Sequence, residues 1–110
     1  MVALERDYQP RLIKRLRALF EGCIILKNDS SYQQGVPDLI LLHGPYWAML
    51  EVKKERPTRA SDFRPNQEYF IEVLNEMSFS ACIYPENEDE VLSALQQTFG
   101  LRRPARRAKR

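Results

Sequence analysis

The sequence is poor in the side chains that most often hold zinc or carry acid-base chemistry, with one histidine and two cysteines in 110 residues. Cys23 and Cys82 lie in separate apolar runs, CIIL and ACIY, with no CxxC spacing. That pattern argues against a zinc site, and both read as small buried hydrophobes in a reducing compartment. Long apolar runs are also missing. None approaches the roughly 20 residues a membrane-spanning helix needs, so no membrane partner is expected. The start, MVALERDYQ, carries acids where a secretory signal would have a basic region and an apolar run, which points to an intracellular, cytoplasmic protein.

What is present fits one globular domain, at 44% hydrophobic and 29% charged residues, a length that supports a single core. The formal net charge of +2 conceals an asymmetry. Arg102, Arg103, Arg106, Arg107, Lys109 and Arg110 supply six of the 17 bases, and the last ten residues hold no acid, leaving 11 bases against 15 acids in residues 1–100. The expected organisation is a folded domain over 1–100 and a basic flexible tail over 101–110. Such a tail suits sequence-independent contact with DNA phosphates, and equally a solubilising terminus or a nuclear-targeting tract.

Hydrophobic spacing predicts the elements. Leu12, Leu16, Leu19 and Phe20 make one face of a helix whose other face is basic, with Pro10 in or near its first turn and Glu21-Gly22 at its end. CIILK (23–27) reads as a strand. DLILL (38–42) and WAMLEVK (47–53) read as a hairpin turning at Gly44-Pro45. A second helix is predicted over about 65–77 from Tyr69, Phe70, Val73, Leu74 and Met77, with Asn66, Gln67 and Glu68 as its polar first turn. SACIY (80–84) follows as a strand. The acidic run 86–90 then opens a last helix that Gly100 stops, its acids complementing the helix dipole.

With the turn at Gly44-Pro45, Asp38 falls opposite Glu51, and opposed carboxylates on one pleated face repel. A divalent cation between them reverses that sign, and hard oxygen ligands suit Mg2+ or Mn2+ completed by a carbonyl and waters. Strand alternation puts Lys53 on the side of Glu51, while Val52 points into the core and can offer its carbonyl to the ion. Phosphodiester hydrolysis needs this set: a held metal, an activated water, and positive charge beside the phosphorus centre. Glu5, near the start of the first helix, is the candidate for a third carboxylate.

Gly35-Val36-Pro37-Asp38, a hairpin, and then Glu51-Val52-Lys53 resemble the motif of the PD-(D/E)xK nuclease superfamily, in particular its virus-type replication-repair nuclease (VRR-NUC) family. The flanks agree: Glu5 before a basic amphipathic helix, Gln67 in the helix after the motif, and a terminal strand-helix pair. The match spans roughly residues 5 to 97. It implies a restriction-endonuclease-like α-β-β-β-α-β core with a mixed four-stranded sheet and a C-terminal helix. It further implies a Mg2+- or Mn2+-dependent endonuclease with catalytic Glu5, Asp38, Glu51, Lys53 and Gln67 and with metal held by Asp38, Glu51 and Val52. Similarity to phage Holliday-junction resolvases implies branched DNA as substrate, a homodimer, and a phage-encoded protein in a bacterial host. The alternatives are a non-catalytic nucleic-acid-binding module of the same fold and a structural dimer built on Tyr46 and Trp47.

Overall fold

The computed structural model describes residues 5–29 and 33–100, with side chains from residue 7 onward. Helix α1 (Glu5–Leu19) leads into β1 (Ile24–Lys27), then β2 (Leu39–His43) and β3 (Tyr46–Val52). A long loop with a short 3-10 turn at Ala60–Asp62 precedes α2 (Gln67–Met77), β4 (Ser80–Ile83) and, after a second 3-10 turn at Pro85–Asn87, α3 (Glu88–Thr98). The strands lie in the order β1-β2-β3-β4, antiparallel except for the parallel β3-β4 pair. This is the expected mixed four-stranded sheet with a C-terminal helix.

Each element follows from its local chemistry. Tyr8, Leu12, Leu16 and Phe20 recur every fourth residue and form one buried stripe of α1, as a 3.6-residue period requires. Pro10 lies inside the helix, further in than its expected place in the first turn, because the helix already begins at Glu5. Its ring removes one internal hydrogen bond from the second turn. The β2-β3 turn has Gly44 at φ +60°, and with the fixed negative φ of Pro45 it suits a type II′ hairpin. The resulting register pairs His43 with Tyr46, Leu41 with Ala48 and Leu39 with Leu50.

Strand alternation sorts the sheet into two faces. Leu39, Leu41, Ala48, Leu50, Val52 and Ile83 pack with α1 and with Val91, Leu92, Leu95 and Phe99 of the α3 segment into one core. The side chains between them, Glu51 among them, point to the other face, where α2 packs against β3 and β4. That cover is partial. Tyr69 and Met77 of α2 are exposed, as are Ile24 and Leu26 on the edge strand β1, so the periodic apolar residues of α2 do not all face inward. The helix also begins two residues later than expected, after Asn66 in a left-handed conformation. α3 likewise begins at Glu88, the 3-10 turn having taken up the residues before it. Glu88 does more than cap: it accepts hydrogen bonds from the buried Tyr8 hydroxyl and from Arg15, joining α3 to α1. Cys23 and Cys82 are half-buried, less enclosed than the sequence suggested.

Candidate active site

The motif loop is fixed by three neighbours. Asn28 donates its backbone N–H to the Asp38 carbonyl at 2.9 Å and its side-chain amide to the Pro37 carbonyl, which ties the loop to the end of β1. Gly35 is buried at φ +96°, and a Cβ there would lie 2.7 Å from the Pro65 carbonyl oxygen and from the Asn66 Cβ. Only glycine permits both that backbone and that approach. The 35–38 loop is thereby locked against the entrance of α2.

Continuing the β2-β3 register by one pair sets Asp38 opposite Glu51. The carboxylate of Asp38 accepts the Val52 N–H at Oδ2 (3.0 Å), while its Oδ1 faces the Arg64 guanidinium at 3.7 Å. Val52 itself is buried in the core. Glu51 is 1% exposed. Its Oε2 accepts a hydrogen bond from Gln67 Nε2 at 2.8 Å and lies 3.4 Å from Lys53 Nζ. Its Oε1 is buried without a hydrogen-bond partner, an arrangement that carries the desolvation cost of a polar atom unless a further group meets it. Burial, and next the charge of Asp38, push the Glu51 carboxyl up to about 7, against the opposing pull of Lys53 and Arg64.

Gln67 links the set. Fully buried at the first position of α2, it donates to Glu51 through Nε2 and accepts at Oε1 from Lys53 Nζ (3.3 Å) and from the Arg64 N–H (2.8 Å). An amide can do both, having donors at one end and an acceptor at the other. Lys53 is held further by its backbone N–H to the Ile83 carbonyl, which extends the β3-β4 ladder, and its ammonium lies 5.4 Å from the Phe63 ring centroid. Beside Lys53 opens a cleft of about 290 Å3, lined among others by Lys54, Arg56, Thr58 and Arg59. Asp62 staples this loop by accepting the Thr58 and Arg59 N–H groups, and those bonds lower its carboxyl below the ordinary range.

The structure thus brings together Asp38, Glu51, Lys53 and Gln67, with the Val52 N–H bonded to Asp38. Glu5 opens α1, but its side chain lies outside the described residues, as do the six basic residues of the tail. Among the described residues no three acids, histidines or cysteines cluster as a metal site would, and Asp38 and Glu51 stand as a pair. That pair still suits Mg2+ or Mn2+, which take one or two carboxylates and keep several waters. The unpartnered Glu51 oxygen beside a second carboxylate is the feature a cation would satisfy. Arg64 was not singled out by sequence reasoning. Its one sequence signal is its place just before Pro65, at the entrance to the helix that carries Gln67. His43 plays no part in the site: its Nε2 lies 3.0 Å from the Glu21 carbonyl oxygen and its ring stacks on Phe99.

The fold is similar to that of a solved structure described as a VRR_NUC domain, with 22% sequence identity and a TM-score of 0.56 over 83% of this chain and 97% of that one. No family model matches the sequence, and no curated protein does. The likeness fixes the fold as that of a VRR_NUC domain.

Proposed function

We propose that the protein is a Mg2+- or Mn2+-dependent endonuclease that hydrolyses DNA phosphodiester bonds, with branched DNA as its preferred substrate. The observation that carries this reading is the Glu51 carboxylate, buried with one oxygen unpartnered, opposite Asp38 and held beside an ordered lysine. A divalent cation between the two carboxylates would give that oxygen a partner.

In this reading Asp38, Glu51 and the Val52 carbonyl hold the ion, with Glu5 as a further carboxylate. When bound, the ion supplies a Lewis acid for the phosphoryl oxygens and lowers the pKa of an attacking water. Lys53 orients that water or stabilises the charge that develops on the phosphate. Gln67 holds Lys53 and Glu51 in mutual register, a supporting task that keeps the reacting groups within bonding reach. The cations lining the neighbouring cleft, and the basic tail, contact the DNA backbone. A homodimer supplies two such sites for paired cuts in a junction. In support, β1 is an edge strand with no strand paired on its outer side among the described residues, and it carries Ile24 and Leu26 at 56% and 47% exposure, features that favour a second copy of the chain there.

The test is a panel of one preparation against a four-way junction, a flap, a nicked duplex and a linear duplex, with Mg2+, with Mn2+ and with chelator. Metal-dependent cleavage strongest on the junction is expected. Binding without any product in either metal would support the non-catalytic module.

A further inference from the structure

We propose that Arg64 is an exchangeable counter-ion of the carboxylate pair, resting against Asp38 when no cation is held and turning to the DNA phosphate when one is. This rests on the nuclease reading above and assigns that site a substrate-contacting residue.

The backbone of Arg64 is tied down, while its side chain is half exposed and held by one long ion pair. Its N–H donates to Gln67 Oε1 at 2.8 Å and its carbonyl accepts the Gln67 N–H at 3.1 Å. Pro65 follows with its restricted φ, and Asn66 after it is held in the left-handed region, φ 71°. The packing of Gly35 against Pro65 and Asn66 closes this segment from the other side. The side chain, by contrast, is 51% exposed, and its Nη2 stands 3.7 Å from Asp38 Oδ1. A pair that long and that wet is weak and is readily exchanged for a stronger one.

Apart from Lys54, which lines the cleft, the neighbouring cations have other contacts. Lys53 is engaged by Glu51 and Gln67, Arg59 by Asp62, and Arg56 lies over the Tyr84 ring at 6.0 Å. Asp38 Oδ1 is also one of the oxygens a cation between Asp38 and Glu51 would draw on, since Oδ2 is occupied by Val52. A cation taking that oxygen displaces the arginine. The freed fork is then anchored at its backbone beside the carboxylate pair and available to a phosphate bound there, whose bidentate recognition is the particular strength of arginine.

The two roles have opposite signatures on removal. In R64A, and in R64Q as a second variant of closer shape, Mn2+ measured by calorimetry without DNA should bind a few-fold more tightly, because a competing positive charge is gone. Cleavage at saturating DNA should nevertheless fall by on the order of a hundredfold, with R64K restoring part of it. Unchanged or weaker Mn2+ binding in both neutral variants would overturn the counter-ion role, and cleavage at the wild-type rate would overturn the phosphate contact. If the wild type itself neither binds Mn2+ nor cleaves, the nuclease reading fails and this proposal fails with it, an outcome distinct from either of the others.

Discussion

Replacing Glu51 by glutamine should stabilise the metal-free protein, and the effect should depend on pH in a way set by the site. The carboxyl is raised from its ordinary 4.5 to about 7, so the folded state keeps a proton that the unfolded state releases between those values. Stability falls as pH rises wherever the folded state binds more protons. The contribution is therefore fully present below about pH 4.5, drains away up to about pH 7, and is absent above it. A shift of that size corresponds to about 3 kcal/mol. E51Q removes the titration, and its amide oxygen can still accept from Gln67 Nε2. Lys53 loses its charged partner, which gives back about 1 kcal/mol. Near pH 8 in chelator the variant should therefore be more stable by about 2 kcal/mol, a rise in melting temperature on the order of 10 °C for a chain of this size. Near pH 5 that advantage should vanish. Mg2+ or Mn2+ at pH 8 should stabilise the wild type, by about 2.7 kcal/mol at a hundred times its dissociation constant, and leave the variant almost unmoved. Thermal melts at both pH values, with and without metal, read all of this. Should E51Q melt below the wild type at both pH values, with parallel pH profiles, Glu51 is a satisfied structural partner of Lys53 and Gln67, and the metal argument loses its basis.

Three further outcomes are expected. Gly35→Ala should cost about 2–4 kcal/mol in denaturant unfolding, since the new Cβ meets backbone at 2.7 Å on one side and φ +96° opposes it on the other; a cost under 0.5 kcal/mol would show that the two loops are not interlocked. Deleting residues 101–110 should weaken binding to every DNA alike and reduce the salt slope by up to about 5, whereas selective loss of junction preference would show that the tail reads structure. Light scattering should give a dimer for the wild type and a monomer for I24K/L26K, and a dimer that survives this double change would place the interface away from β1.

Much of this architecture was legible because short-range chemistry decided it. The four-residue recurrence in α1 and the Gly44-Pro45 turn fix a helix and a hairpin, and the hairpin register alone aligns Asp38 with Glu51. What escaped depended on contacts between distant segments. Gln67 was marked in the sequence by the nuclease resemblance alone, and only the packing of α2 over β3 makes it a bridge between Glu51, Lys53 and Arg64. Arg64 lies in a loop whose composition resembles any basic loop, and its meaning comes from the fit of Gly35 against Pro65. Tyr8 carries no sequence signal of its role, which appears only when α3 brings Glu88 to its hydroxyl. The partial cover of the sheet by α2 is likewise invisible to periodicity, which marks an apolar side chain without saying whether anything meets it.

The central claim is that the carboxylate pair and Lys53 hydrolyse DNA with the help of a divalent ion, and nicking of supercoiled plasmid tests it most directly. The wild type should convert the plasmid in Mg2+ or Mn2+ and leave it intact in chelator. D38N, E51Q and K53A should each lose nearly all of that conversion while retaining DNA binding measured in Ca2+. Conversion that persists in chelator, or K53A nicking at the wild-type rate, would contradict the account.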